Sequence, residues 1–458
     1  HSRRTPITDL YEYNQPLLDT HMVSLLDENL YHSDGQVLGE VFVYGSFLQS
    51  KMYQAGVTCT DCHNPHSGQL LSSGKPEGVC LQCHLPSKFD VSSHHQHRSE
   101  SVSCLDCHMR EKDFMVIDGR RDHSFRIPSP DVTKISGAPN ACNDCHSDQS
   151  LEWIIDSYKQ WFGADTHSHY GIELFSARNG GGNLPLQRIF FNPNYPNIAK
   201  ATALSLLKAP YSAEISNMVF EALSHPDPII RIAGLRALSA LPSETQFNWS
   251  IKLLKDDIRS VRIEAAIIIS PFRNQLFPQD RFAFNNADRE LLESILVSGD
   301  RAEGRNRLGN YYAEIGETEK SIEAYKNALN LEPMAIETQI NLADLYRQLG
   351  RDQDSLEILR KAIDDNPKEA SFYHAYGLAL VRQGEPKMGL EYLKVAVNLD
   401  TQVARYSYVY AVALNSLGQP EASINFLREI NLKFKDNFDI KWALATILRD
   451  QNQNEESL

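Results

Sequence analysis

Eight cysteines constrain this chain more than any other feature, because all eight lie between positions 59 and 145 in one repeated pattern. It reads Cys59-Thr60-Asp61-Cys62-His63, Cys80-Leu81-Gln82-Cys83-His84, Cys104-Leu105-Asp106-Cys107-His108 and Cys142-Asn143-Asp144-Cys145-His146. A disulfide framework predicts scattered spacings, and none of the eight is left over for one. Zinc ribbons and thioredoxin-like sites also use paired cysteines, but neither requires a histidine directly after each pair. With 16 histidines in 458 residues, four such placements by chance have a probability of about one in a million.

C-x-x-C-H is the attachment signature of a c-type haem. Two thiols three positions apart reach the two vinyl groups of one porphyrin, and the next residue brings its imidazole under the iron. The reading is therefore four haems c, bonded through Cys59 and Cys62, Cys80 and Cys83, Cys104 and Cys107, and Cys142 and Cys145. His63, His84, His108 and His146 are their proximal ligands. Motifs this dense leave little room for an all-protein core, so the porphyrins are expected to be the core of residues 1–150, close enough for electrons to hop between them. Frequent Pro, Gly, Ser and Asp allow only short helices around each motif.

A second imidazole on each iron keeps a haem six-coordinate and suited to electron transfer. The candidates are His21, His32, His66, His94, His97 and His123, from a pool that also holds His95, His167 and His169. His66 follows His63 within His63-Asn64-Pro65-His66, His97 precedes Cys104 by seven residues, and His123 stands in Arg121-Asp122-His123-Ser124-Phe125. The plain alternative for any one of them is a surface or hydrogen-bonded histidine. Met52 lies as far before Cys59 as His97 does before Cys104. A thioether ligand there would raise that haem's potential, although packing is the commoner role of such a Met.

The run from Gly56 to Gly68 resembles the motif segments of bacterial multihaem cytochromes. Cys104 to Met109 is similar to the Cys-x-x-Cys-His-Met of cytochrome c nitrite reductases and hydroxylamine-oxidoreductase relatives. The chain as a whole resembles large periplasmic cytochromes of environmental bacteria that join such a haem domain to tetratricopeptide repeats. That resemblance implies a periplasmic, extracellular or cell-surface location and redox partner proteins. It also implies that His1, in His1-Ser2-Arg3-Arg4, is the proximal ligand of a fifth haem whose cysteines lie upstream, with further haems before it.

The rest of the chain reads as helical scaffold. Leu151, Trp153, Ile154, Ile155, Tyr158, Trp161 and Phe162 form an amphipathic pattern, whose aromatics either cover haem edges or form protein core, with core the expected place. A turn follows at Asn179-Gly180-Gly181-Gly182. Blocks beginning at Ile198, Ile229 and Ser260 then align with a period of about 31, carrying Lys200, Arg231 and Arg262 at one position and Ala203, Gly234 and Ala265 at another; they resemble HEAT-type hairpins. From about position 300 the period becomes about 34, with Gly316, Gly350, Gly384 and Gly418 at helix ends and Gly309, Ala343, Gly377 and Ala411 where paired helices touch. This looks like the tetratricopeptide signature: about four repeats and a final helix from near Asp439.

The expected fold is mainly α. A loop-rich, haem-packed cytochrome domain (1–190) precedes an α-solenoid of HEAT-like (191–285) and tetratricopeptide (300–458) hairpins. The net charge of −14 argues against nucleic acid and anionic membranes as partners, and no run of about 18 apolar residues is present to span a bilayer. The repeats offer a groove for a partner protein or another copy of this chain. His225 and His374 read as structural, and nothing after residue 190 offers a nucleophile, metal cluster or phosphate loop.

Two functions follow. In the first, the chain passes electrons through closely packed haems. In the second, one haem with an open distal face acts on a small nitrogen or sulfur compound such as nitrite or hydroxylamine. The absence of a C-x-x-C-K motif and the supply of histidines favour the first.

Overall fold

The computed structural model describes residues 4–12, 14–41, 43–72, 74–98, 101–163, 169–209, 211–435 and 437–452. The chain divides into two compact units, His1–Ser294 and Ile295–Leu458. Both are mainly helical, and no described helix is long and apolar enough to cross a membrane.

The first unit opens with little regular structure. Strand β1 (Arg4–Pro6) pairs antiparallel with β2 (His21–Val23), Thr5 opposite Met22. Further on, β3 (Glu111–Phe114) and β4 (Asp118–Arg121) form a hairpin in which Glu111 faces Arg121 as an ion pair at 3.2 Å. Each cysteine motif forms a single tight turn. Cys59–Cys62 and Cys104–His108 each start with a capping box, Thr58 with Asp61 and Ser103 with Asp106, which satisfies the first backbone N–H groups of so short a helix. Cys142–Cys145 is one α-turn, and the 3₁₀ turn Pro76–Gln82 carries Cys80. One turn is enough to bring residues three apart onto one side.

Residues 17–49 have a protein core of their own. Leu26 is fully buried and Tyr31 nearly so. The Leu26 N–H donates to Thr202 Oγ1 at 3.1 Å, the Arg259 N–H to the Asp19 carboxylate at 2.7 Å, and the Ser260 hydroxyl to the Leu18 carbonyl. These bonds tie the N-terminal segment to the helices Asn197–Ser205 and Arg259–Ile269. The next stretch is different. From Lys51 to His108 no described residue is buried.

Helix Leu151–Phe162 starts where the Ser150 side chain accepts from the Trp153 N–H and stops at Gly163, whose φ of 82° continues no helix. Its buried residues are Ile154 and Ile155, whereas Trp153, Trp161 and Phe162 are 42%, 41% and 47% exposed. The aliphatic pair, not the large rings, makes the core contact. The three blocks of the 31-residue period become the helices Asn197–Ser205, Pro228–Ala237 and Arg259–Ile269. The recurring arginines do equivalent work. Arg231 donates to the carbonyls of His225 and Pro226 and to Asp256, and Arg262 donates to the carbonyls of Asp256 and Asp257 and to Glu290. Each therefore caps one inter-helix loop and ties it to the next repeat.

In the second unit four helical hairpins follow one another: Ala302–Glu314 with Thr318–Leu331, Ile336–Gln348 with Asp352–Asp365, Ala370–Arg382 with Pro386–Leu399, and Ala404–Ser416 with Pro420–Lys433. The helix Phe438–Asp450 closes the array. Gly316, Gly350, Gly384 and Gly418 all have φ between 70° and 85°, the left-handed conformation that ends the first helix of each hairpin. Gly309 is needed for closeness, since a Cβ there would sit 2.4 Å from the Tyr325 ring.

Candidate metal centres

All eight thiols are free and either exposed or half-buried. Burial holds the thiols of Cys62, Cys80, Cys104 and Cys142 above their ordinary range and pushes Cys107 up to about 11. Their neighbours act in the same direction: Cys62 has Asp61 and Cys83 beside it, Cys80 has Cys104 and Cys62, and Cys107 has Cys142. The motifs thus follow one another in space as they do in sequence. Thiols set among carboxylates and other thiols stay protonated, which is the opposite of the electropositive setting that stabilises a thiolate. Among the described residues no group of three or more His, Cys, Asp or Glu side chains is arranged to hold a metal ion, as a zinc ribbon would need.

The histidines are arranged in pairs. His63 faces His123 with ring centres 6.3 Å apart and planes 29° from parallel. His108 faces His94 at 6.2 Å and 19°, and His146 faces His97 at 6.1 Å and 37°. Each pair joins one motif histidine to one from outside any motif. An imidazole bound through nitrogen at about 2.0 Å has its ring centre about 3.1 Å from the metal, so two such rings on opposite sides of one ion lie about 6.2 Å apart.

Backbone carbonyls orient several of these rings. His63 Nδ1 donates to the Gly68 carbonyl at 2.8 Å, His108 Nδ1 to that of Arg126 at 2.6 Å and His123 Nδ1 to that of Arg121 at 2.9 Å, while His97 Nδ1 bonds the His95 carbonyl. A proton held on Nδ1 fixes the tautomer and leaves Nε2 as the free electron pair, which is how protein ligands to metals are usually held. Burial keeps His123 and His94 below the ordinary histidine range, with His63 and His108 respectively adding to the effect. Both are therefore neutral at pH 7, the form that binds a metal.

The other candidates have different surroundings. His21 lies on β2 with Nδ1 2.9 Å from Thr20 Oγ1, and half-buried His32 sits in a turn where its N–H donates to the Gln36 carbonyl. His66 is exposed in the turn after His63, its N–H bonded to Asn64 Oδ1. The Nδ1 of His169 accepts from the Gly171 N–H. Met52 is half-buried on the short helix Lys51–Gln54. His1 and His167 lie outside the described residues.

Three further side chains lie beside the pairs: His95, named only in the wider pool of histidines, and Trp153 and Trp161, expected in protein core. The His95 carbonyl orients His97, and its ring Nδ1 accepts the His97 N–H. Trp153 packs on His146 at 5.4 Å and Trp161 on His97 at 6.2 Å, so the exposed aromatics of that helix flank a histidine pair. Their helical spacing could not choose between core and haem-edge cover, because it is the spacing of any amphipathic helix.

Against families of known proteins, residues 309–350 match the TPR repeat and residues 336–369 the tetratricopeptide repeat. The C-terminal region carries tetratricopeptide repeats. No curated protein matches the chain. Among solved structures, a MamA protein is similar at 21% identity, covering 35% of this chain and 87% of its own, with a TM-score of 0.30. YrrB, described as a TPR protein with an unusual peptide-binding site, is similar at 17% identity, 36% and 86% coverage and a TM-score of 0.29. A thermophilic TPR protein of Thermus thermophilus is similar at 18% identity, 40% and 98% coverage and a TM-score of 0.32. Stacked tetratricopeptide hairpins present a concave protein-binding surface.

Proposed function

We propose that this chain is a multihaem c-type cytochrome that carries electrons and docks to a protein partner through its tetratricopeptide repeats. The observation that carries the reading is the threefold pairing of a motif histidine with a distant one, at the separation of two imidazoles on one metal. Haem supplies a one-electron Fe(II)/Fe(III) couple when bound.

The residues divide the work. Cys59 and Cys62, Cys80 and Cys83, Cys104 and Cys107, and Cys142 and Cys145 would each hold one macrocycle through thioether bonds. His63 with His123, His108 with His94, and His146 with His97 would hold three of the irons from both sides. Two strong-field ligands keep an iron low-spin and hold its geometry nearly constant between oxidation states, which suits transfer over binding. The neighbouring of Cys62 with Cys83, Cys80 with Cys104 and Cys107 with Cys142 supports a single row of haems. The stretch from Lys51 to His108, with no buried side chain among its described residues, supports a core supplied by the cofactors.

Thioether maturation places such a protein in the periplasm or outside the cell. Its redox partner, or a second copy of the chain, would occupy the repeat groove.

The test is haem content after expression in a host that matures c-type cytochromes. Pyridine haemochrome analysis is expected to return four haems per chain, and His94→Ala, His97→Ala and His123→Ala should each convert one of them from low to high spin. Colourless protein carrying zinc or disulfides instead would end the reading.

A further inference from the structure

We infer that the haem attached at Cys80 and Cys83 is the one whose iron binds a small exogenous molecule, of the diatomic class that coordinates ferrous haem. This rests on the cytochrome reading above and asks more of it.

Three of the four motif histidines face a second imidazole at 6.1–6.3 Å; His84 does not, among the described residues. Its ring meets Phe89 instead, edge to face at 5.2 Å with the planes at 90°. Phe89 in turn lies 5.3 Å from His94, again nearly perpendicular. The nearest paired histidine is therefore already opposite His108 and is separated from His84 by a phenyl ring.

Exposure divides the motifs the same way. His63, His108 and His146 are half-buried, whereas His84 is exposed, as is Leu85 beside it. A haem held there would have one protein ligand and solvent access, the two conditions for binding a small molecule at the other face. Its place in the row completes the case. Cys62 lies within electrostatic reach of Cys83, and Cys80 within that of Cys104, so this motif stands between two that carry histidine pairs. Electrons could reach a bound ligand from either side through six-coordinate neighbours.

The experiment uses the full haem-loaded chain and carbon monoxide as probe. Haem is counted first; if there is none, the cytochrome reading has failed and the present inference with it. With four haems present, titration of the dithionite-reduced protein is expected to bind one carbon monoxide per chain, and resting ferric protein should show one high-spin haem in four by electron paramagnetic resonance. Cys80→Ala/Cys83→Ala should lower the haem count to three and abolish the carbon monoxide band. His97→Ala should instead raise the stoichiometry to two, a readout that does not depend on the double variant folding. Four low-spin haems with no carbon monoxide uptake would overturn the inference and leave electron transfer standing. So would uptake that persists without the Cys80/Cys83 haem.

Discussion

The stretch from Lys51 to His108 and the repeat array from Ala302 to Asp450 solve the folding problem in opposite ways. The first has no buried side chain among its described residues, yet it holds three of the four cysteine motifs. The second buries residues in every helix, with Leu393, Leu427, Ile440 and Phe372 at 1% exposure or less. A polypeptide gains its stability mainly from apolar burial, so a stretch that buries none of its side chains must borrow a core from elsewhere. The covalent macrocycles of its three motifs would be that core. The comparison predicts that the two regions respond independently to perturbation.

The largest effect should come from removing the attachment chemistry. With all eight cysteines changed to alanine, the Soret band should vanish and residues 51–162 should become the first site of limited proteolysis, while a protected fragment covering the repeats survives. Equal protection of both regions, read by mass spectrometry of the digest, would break the contrast at its root.

The converse comes next. Leu427 is fully buried within a cluster that includes Ile424, Ile430, Ile440 and Ile447. Leu427→Ala should destabilise the repeats by about 2–5 kcal/mol through lost burial and the cavity left behind. Chemical denaturation followed by circular dichroism should register the loss, and the haem spectrum should stay unchanged. A concurrent spectral change would mean that the repeats help to hold the haem region.

How much of this could be read from the sequence also follows the divide. The 34-residue period gave the repeat helices and the left-handed glycines directly, because a repeat shows its own spacing and each Gly ends a helix in the same way. The cysteine motifs were equally plain, since both thiols and the histidine are local in the chain. The pairing was not legible. His123 meets His63 across 60 positions, and no periodicity encodes a contact between loops. Nor did the sequence reveal the core of residues 17–49, where Leu26 and Tyr31 are buried and the Leu26 N–H bonds Thr202, 176 positions later. The aromatics of Leu151–Phe162 read as core because amphipathic spacing fixes which residues share a face but not what that face meets.

A smaller, pH-dependent effect separates the regions again. His374 is 8% exposed, neither ring nitrogen has a hydrogen-bond partner, and burial with Arg405 nearby lowers its pKa to about 4. The folded state thus disfavours the charged ring. Stability is complete above the unfolded value near 6.5 and falls as pH drops towards 4, where the unfolded chain binds the extra proton. The loss should reach about 3 kcal/mol at pH 4. Hydrogen exchange in the helix Ala370–Arg382 should accelerate accordingly, and His374→Leu should flatten that pH dependence. An unchanged slope in the variant would assign the acid sensitivity to other groups.

The smallest effect tests how locally the repeats are specified. Gly350 has a φ of 70° and nothing within 4 Å of the position a Cβ would take, so Gly350→Ala meets no clash and is strained only in its backbone. The left-handed conformation should cost it about 1 kcal/mol. Gly309→Ala differs in kind, because its methyl would press on the Tyr325 ring and disturb the bond from the Tyr325 hydroxyl to Asn310 Oδ1 at 2.6 Å. Denaturation midpoints should therefore rank Gly309→Ala below Gly350→Ala, with the wild-type chain above both. Equal midpoints for the two variants would mean that close helix approach at Gly309 is not what the small residue is for, and that both glycines serve the turn-and-helix backbone alone.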